Sequence, residues 1–133
     1  MDFYLNTENT YNRLKNEYKT HRKIIIAYDF DGTVFDYHGE GRTFDNVISL
    51  LQRWKNHAHF IVYTVSGKER HEPIKTYLRA NSIPFDSINE NIKGLNIPSG
   101  GKLYYNVLLD DRASLRETYN ILLKLIDEIE RGL

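Results

Sequence analysis

The stretch IIIAYDFDGTVFD, residues 24–36, joins an apolar run to closely spaced acidic residues. Ile24 to Tyr28 is continuously apolar and rich in β-branched residues, which is typical of a strand buried on both faces of a sheet. Asp29 and Asp31 come at the end of this run, and Gly32 follows them. The chain therefore places two carboxylates, two residues apart, at the end of a buried strand.

Helical and extended patterns alternate along the rest of the chain. Apolar residues at helical spacing predict four helices, at residues 6–22, 47–54, 67–81 and 115–129. Short apolar runs predict three further strands, at residues 60–64, 84–88 and 104–109. We expect Thr43 or Asp45 to cap the second helix and Ser66 to cap the third, because these side chains can accept a hydrogen bond from a free backbone N–H.

This alternation predicts an α/β fold in three layers. A central, mainly parallel sheet would carry helices on both faces, joined to the strands by right-handed crossovers. Ligands bind at the carboxyl ends of the strands in such a sheet. Polar residues that follow three of the predicted strands would meet there, namely Asp29, Asp31, Thr64, Asp110 and Asp111.

The length of the chain favours one domain. With 133 residues it can build a single core, and we predict one domain over residues 1–133. An N-terminal helix would occupy residues 1–23, the core residues 24–113, and a C-terminal helix residues 114–133.

The composition restricts the chemistry and the partners. The 18 basic and 18 acidic side chains cancel, so binding that depends on charge must be local. The absence of cysteine excludes disulfides and thiolate zinc sites, and it fits a reducing compartment. No stretch approaches the ~20 apolar residues that cross a bilayer, so we expect a soluble, cytoplasmic protein with no membrane partner.

Three competing interpretations of the polar segments are weaker. Residues 29–40 match a calcium-binding loop in their acidic positions, but Val34 stands where that loop requires glycine. A surface turn accounts for one aspartate, but not for the same polarity at the ends of three strands. The SGGK segment, residues 99–102, is similar to a phosphate-binding P-loop, but Leu103 stands where serine or threonine would bind magnesium.

The motifs resemble those of the haloacid dehalogenase-like phosphohydrolases. The first is the apolar strand followed by DFDGT, residues 29–33, and the second is the strand FIVYT, which ends in Thr64. The third and fourth lie in GKLYYNVLLDDRA, which contains Lys102, Asp110 and Asp111. The resemblance implies a Rossmann-like fold, and the short connections after the first two motifs imply that it has no cap domain.

The resemblance also implies an activity, that of a Mg²⁺-dependent phosphomonoester hydrolase working through an aspartyl-phosphate. Asp29 would attack phosphorus, and Asp31 would be the general acid and base, which favours a phosphatase over a dehalogenase. The Asp29 carboxylate, the Asp31 main-chain carbonyl and Asp110 would hold the metal, with Asp111 completing or orienting the shell.

Further residues would bind the phosphate. Lys102 would neutralise phosphoryl oxygens, and Thr64 would donate a hydrogen bond to one of them. Backbone amides of Phe30, Gly32 and Thr33 would form an anion-binding concavity, with Gly32 allowing close approach.

Two basic positions compete with Lys102 for its role. Lys68 and Lys93 are the alternatives, and Lys102 is favoured because it lies shortly before the last strand. Lys68 and Arg70 would alternatively contact the substrate from the start of the third helix.

The substrate remains open at this point. An uncapped site suits either a phosphorylated polymer end or a small molecule enclosed by a second subunit of a homo-oligomer. Two other functions compete with a general phosphatase. One is a polynucleotide end-processing phosphatase, although the balanced charge does not favour nucleic acid, and the other is a regulatory module that binds Mg²⁺ or phosphate with little turnover.

Overall fold

Strands and helices alternate in the computed structural model, which describes residues 1–98 and 100–133. The strands of this part of the chain are β1 (Ile24–Asp29), β2 (Ala58–Tyr63), β3 (Ser87–Ile88) and β4 (Val107–Leu109). The α-helices are α1 (Thr7–His21), α2 (Asp45–Arg53), α3 (His71–Ala80) and α4 (Leu115–Glu130). Short 3-10 turns at Phe3–Leu5 and Lys68–Arg70 precede α1 and α3.

The sheet has the order β3-β2-β1-β4, and all its pairings are parallel. The chain therefore steps outward from β1 to β3 and then returns past β2 and β1 to place β4 on the opposite side. A parallel sheet with alternating helices confirms the predicted α/β class. Helices α2 and α3, which lie on the outward steps, pack on one face, whereas the return connection passes over the other.

The two faces of the sheet are covered differently. Ile24, Ile26 and Tyr28 point into a large core that includes the buried residues of all four helices. Ile25 and Ala27 point to the other face, where their neighbours come from the return connection, including Ile92 and Leu103. The layer on this second face is thus an irregular segment in the described residues, where the sequence predicted a helical layer.

One contact illustrates how tightly the helical layer is joined. Trp54, which follows α2, is fully buried, and its indole N–H donates to the carbonyl of Leu122 in α4 at 3.2 Å. The contact satisfies the one polar atom of a large buried ring, and it fixes α2 against α4.

The residues predicted to cap the helices are the main local difference between the prediction and the structure. Phe44 lies at the N-cap of α2 without a side-chain bond, and α3 follows the 3-10 turn directly from Arg70. The predicted caps Thr43, Asp45 and Ser66 are therefore wrong. The hydroxyl of Ser66 instead accepts a hydrogen bond from Arg70 at 2.6 Å, so this serine supports a side chain and caps no helix.

Strands β3 and β4 are shorter than predicted. The N–H of Ile25 donates to the side-chain Oδ1 of Asn106 at 2.6 Å, so a side chain replaces a backbone partner just before β4. Ser99, part of the P-loop-like segment, lies outside the described residues. No helix in the described part of the chain is both long and apolar enough to span a membrane.

Candidate active site

Three carboxylates meet at the carboxyl edge of the sheet. Asp29 ends β1, and Asp110 and Asp111 directly follow β4. Because β1 and β4 pair in parallel with Tyr28 opposite Leu109, the residues that follow this pair are brought side by side. One carboxylate oxygen from each of the three aspartates lies within 4.8 Å of the others. We call these three residues the acidic cluster.

The acidic cluster is partly buried, and its members affect one another's protonation. Burial, a hydrogen bond shared with Asp111, and the charges of Asp110 and Asp111 raise the pKa of Asp29 to about 7. Within residues 1–98 and 100–133, no lysine or arginine forms an ion pair with any member of the cluster. A cation bound between the three side chains would relieve their mutual repulsion.

The donors of the acidic cluster fit a hard divalent cation. Mg²⁺ prefers oxygen ligands and is usually held by a few carboxylates while it keeps several waters. Asp29 and Asp110 are half-buried and Asp111 is exposed, so the cluster opens to solvent. Oδ1 of Asp110 accepts the N–H of Arg112 at 2.9 Å, which orients this carboxylate. These residues could hold Mg²⁺ and leave coordination positions for water or a phosphate oxygen.

Thr33 ties the two halves of the acidic cluster together, a role that the sequence did not reveal. Its side chain is fully buried, and its hydroxyl lies 3.2 Å from Oδ1 of Asp111 and 3.5 Å from Oδ2 of Asp29. The same hydroxyl accepts the N–H of Asp111 at 3.1 Å. Thr33 therefore fixes the loop after β1 to the loop after β4.

Gly32 is required by a close approach to the acidic cluster. It has φ +81°, and a Cβ at this position would lie 3.1 Å from Oδ2 of Asp111. Both facts favour glycine, because other residues rarely adopt this φ and the neighbouring carboxylate is held by Thr33. The sequence predicted that Gly32 allows a phosphate to approach closely, which stays a prediction; in the structure the neighbour of Gly32 is a carboxylate.

The backbone amides of this loop are largely engaged within it. The N–H of Gly32 donates to the carbonyl of Phe35 at 2.9 Å, and that of Thr33 to the carbonyl of Phe30 at 3.3 Å. The backbone of Phe30 acts on the carboxylate of Asp29 and lowers its pKa, against the larger causes that raise it. Binding of a phosphate by these three amides, as predicted, would require some of these hydrogen bonds to be exchanged.

Asp31 does not share the acidic cluster; it forms an ion pair with Arg70. Nη1 of Arg70 lies 2.8 Å from Oδ2 of Asp31, and Nη2 lies 3.1 Å from Oδ1. This two-point contact raises the pKa of Arg70. The rings of Phe30 and Tyr37 lie 5.8 Å and 5.5 Å from the guanidinium carbon. Arg70 therefore orients the Asp31 carboxylate. The sequence did not predict this ion pair, because the two residues are 39 positions apart.

Thr64 is held at the end of β2 by Asn89, a role that the sequence analysis did not assign to this residue. The N–H of Thr64 donates to Oδ1 of Asn89 at 2.9 Å, and its carbonyl accepts from Nδ2 of Asn89 at 2.7 Å. Its hydroxyl accepts the N–H of Ser66 at 3.1 Å, which leaves the hydroxyl proton to donate elsewhere. Thr64 is therefore placed as a hydrogen-bond donor at the same edge as the acidic cluster.

In the described part of the chain, none of the three candidate lysines forms an ion pair with the acidic cluster. Lys102 is exposed and lines a shallow cavity with Tyr104 and Tyr105. Lys93 is exposed on a different cavity, and Lys68 is exposed in the 3-10 turn before α3. None of the three is among the charges that set the pKa of Asp29. The role of Lys102 therefore stays a prediction.

Comparison with known proteins supports the fold and leaves the chemistry open. A solved structure of a conserved protein from Bacteroides thetaiotaomicron has a similar fold, with a TM-score of 0.61. The two chains are 22% identical, and the match covers 80% of this chain and 92% of the other. No family model and no curated protein matches the sequence. At this identity the likeness shows a shared fold alone.

The arrangement provides three kinds of group at one edge of the sheet. The acidic cluster offers oxygen donors for a cation, and Asp29 within it is a carboxylate that could act as a nucleophile. Asp31, two residues further on, is oriented separately by Arg70. Thr64 adds a hydroxyl donor from the next strand. Together these groups could bind a cation and an anion side by side, and Asp31 could give a proton to the bound anion or take one from water.

Proposed function

We propose that the protein is a Mg²⁺-dependent phosphomonoester hydrolase of the haloacid dehalogenase-like kind, acting in the cytoplasm. The observation that carries the proposal is the meeting of Asp29, Asp110 and Asp111 within 4.8 Å at the carboxyl edge of the sheet. A purely structural role would not account for three mutually repelling carboxylates that pair with no cationic side chain in the described residues. Such a group suits phosphate-ester chemistry with a carboxylate nucleophile, because it can hold the cation that offsets repulsion between that nucleophile and the dianionic substrate.

Each residue has a distinct task in the proposed reaction. Asp29, Asp110 and Asp111 would hold Mg²⁺, which supplies positive charge to offset repulsion between the substrate and the site. The Asp29 carboxylate attacks phosphorus, the bond to the leaving oxygen breaks, and Asp31 gives that oxygen a proton. Water then attacks the aspartyl-phosphate and gives its proton to Asp31, which restores the carboxylate of Asp29 and releases phosphate.

The ion pair of Asp31 bears on this mechanism. Both carboxylate oxygens of Asp31 contact Arg70, so one of these hydrogen bonds must open and Asp31 must take up a proton from solvent before it can protonate the leaving group. Ser66 also contacts Arg70, at 2.6 Å from Nη1, and could retain the guanidinium while Asp31 turns. We infer that binding of substrate accompanies this rearrangement.

A second candidate is a Mg²⁺-binding module with little turnover. It is favoured by the position of Lys102, which does not contact the acidic cluster, and by the internal hydrogen bonds of the Gly32 and Thr33 amides. Such a module would bind Mg²⁺ through the same three aspartates but hydrolyse phosphate esters no faster than a variant that lacks the nucleophile.

The test is a screen of phosphomonoesters with and without Mg²⁺. We expect hydrolysis that requires Mg²⁺ and that is lost in Asp29→Asn, which keeps the shape of the side chain and removes its negative charge. Asp2→Asn is a matched control at the exposed N-terminus and should keep full activity. Activity that survives in Asp29→Asn would contradict the mechanism. Mg²⁺ binding with no turnover in the wild type would favour the second candidate.

A further inference from the structure

A groove of about 590 Å³ lies outside the acidic cluster, between helix α3 and the edge strand β3. Three basic side chains of α3 line its helical wall, and Phe85 and Lys93 contribute from the segments around β3. We call it the α3–β3 groove. Its size is that of a ligand site.

The basic residues of the helical wall form a row. His71, Lys75 and Arg79 are each four residues apart on α3, so they lie on one side of the helix with Cβ atoms about 5–6 Å apart in each step. The row extends over about 12 Å of the helix axis, at about 1.5 Å per residue. Cationic groups spaced along a line suit an anionic chain better than a single small anion.

The groove has an excess of fixed positive charge. Lys75, Arg79 and Lys93 face two carboxylates, Asp86 and Glu90. Oδ2 of Asp86 accepts the N–H of Phe60 at 2.8 Å, which orients this carboxylate and leaves its negative charge in place.

Two further titratable groups lie beside these charges. Lys75 lies 3.6 Å from Glu72, whose side chain is 79% exposed, so water screens this pair. Burial and the charge of Lys23 lower the pKa of His59, which therefore stays neutral near pH 7. The side chains that line the groove thus carry one more fixed positive charge than negative charge, and the offset from Glu72 is weakened by solvent.

An aromatic side chain accompanies the cations. Phe85 is half-buried in the groove, and the guanidinium carbon of Arg79 lies 5.4 Å from its ring centroid. A positively charged groove with an aromatic surface is the combination by which proteins bind single-stranded nucleic acid, since phosphates pair with the cations and bases stack on the ring.

The groove leads to the candidate active site. Its first helical residue, His71, directly follows Arg70, which holds Asp31. On the other wall, Asn89 directly follows β3 and hydrogen-bonds Thr64 in both directions. A chain that lies in the groove would therefore have one end near the carboxyl edge of the sheet.

We propose that the α3–β3 groove binds the sugar-phosphate chain of a single-stranded nucleic acid whose terminal phosphate enters the acidic cluster. The assignment of that phosphate as the substrate rests on the proposed function. Binding of the chain in the groove does not, because it uses none of the aspartates.

The test measures binding without turnover. An Asp29→Asn protein is titrated into a fluorescent oligonucleotide with a terminal phosphate, at several salt concentrations, and anisotropy is recorded. Affinity should fall with salt. Adding Lys75→Gln and Arg79→Gln should weaken binding and reduce the slope of log K against log salt by about 1.4, at about 0.7 for each phosphate contact in a single strand. Lys93→Gln, in a loop, gives a second variant that does not alter a helix.

A matched control has the same change in charge elsewhere. Lys19→Gln with Lys55→Gln removes two exposed lysines outside the groove and should leave the slope unchanged. Equal effects of the two double variants, or binding that does not depend on salt, would overturn the proposal. So would displacement of the oligonucleotide by inorganic polyphosphate at a lower phosphate concentration than by unlabelled oligonucleotide.

The two proposals fail in different ways. Groove-dependent binding with no hydrolysis of any phosphomonoester would contradict the proposed function and support the binding of nucleic acid in the groove. Mg²⁺-dependent hydrolysis with no groove-dependent binding would retain the enzyme and overturn the groove.

Discussion

Thr33 and Asp111, which are 78 residues apart in the chain, are hydrogen-bonded in both directions. The N–H of Asp111 donates to the Thr33 hydroxyl at 3.1 Å, and this hydroxyl lies 3.2 Å from Oδ1 of the same aspartate. The pair joins the loops that follow β1 and β4. It therefore helps to hold Asp29 close to the other two members of the acidic cluster.

Thr33→Val should distinguish the contribution of the Thr33 hydrogen bonds from that of its side-chain packing. Valine keeps the branched shape but leaves the N–H of Asp111 without its partner, so we expect the free energy of unfolding to fall by about 1–3 kcal/mol. Mg²⁺ should also bind more weakly, as measured by its effect on the melting temperature. Thr33→Ser keeps the hydroxyl and should retain most of both properties. Equal losses in the two variants would indicate that the methyl group, and not the hydrogen bonds, is what matters.

The raised pKa of Asp29 predicts how stability depends on pH when Mg²⁺ is removed by a chelator. Asp29 has a pKa of about 7 in the folded protein, against an ordinary value of 3.8. Between these values the folded protein binds more protons than the unfolded chain, so the Asp29 contribution to stability falls as pH rises from about 4 to about 7. Melting temperatures should show this decline in the wild type and less of it in Asp29→Asn. Asp2→Asn should behave as the wild type; the same pH profile in all three would refute the assignment.

Beryllium fluoride with Mg²⁺ should raise the melting temperature, because it mimics a phosphoryl group on the Asp29 carboxylate. A ligand at about 100 times its Kd stabilises the folded state by about 2.7 kcal/mol. Asp29→Asn and Asp110→Asn should lose the shift, whereas Asp2→Asn should keep it. A shift of equal size in all of these variants would place the binding elsewhere.

Asp31→Asn should impair poor leaving groups more than good ones. An alkyl alcohol needs a proton to depart, whereas an activated phenol leaves as the anion with little help, so the defect on alkyl phosphates should be about 10²- to 10⁴-fold and clearly smaller on activated aryl phosphates. Rapid-quench measurements should also detect phosphorylated protein that accumulates together with a burst of phenol. Equal losses on both substrates, with no burst, would show that Asp31 has a structural role.

Arg70→Lys tests whether Arg70 acts through Asp31. Lysine keeps the charge but cannot form the two-point contact, so the orientation of Asp31 is lost. We expect kcat on alkyl phosphates to fall more than kcat on activated aryl phosphates, with little change in KM. Arg116→Lys, an exposed change on α4, is the control. A rise in KM on both substrates would instead assign Arg70 to substrate binding.

The sequence predicted the sheet and the meeting of its acidic residues for a clear physical reason. Continuous apolar runs identify buried parallel strands, and parallel strands bring their carboxyl ends to one edge. Asp29, Asp110 and Asp111 follow two such strands and do lie together. Their chemical roles are not fixed by this placement and stay predictions.

Contacts between distant loops were not predictable in the same way. Thr33 with Asp111, Asp31 with Arg70, and Asn89 with Thr64 depend on how loops pack, and loops have no periodicity to read. The wrong helix caps have a related cause, because Ser66 has a capping side chain that the fold uses for Arg70 instead. The short β4 reflects Asn106, whose side chain bonds β1 where a longer ladder was expected.

The return connection from β3 to β4 has a consequence for the order of assembly. β1, β2 and β3 are linked by short crossovers, whereas β4 pairs with β1 only after a loop of more than half of the chain closes. Contacts of such long sequence separation carry the largest closure entropy and tend to form late. Asp110 and Asp111 join Asp29 in that closing step, so a folding intermediate that lacks β4 has one member of the acidic cluster and no chelating site. If the acidic cluster binds Mg²⁺, the rate at which tight Mg²⁺ binding appears during refolding would then report the rate at which β4 pairs with β1.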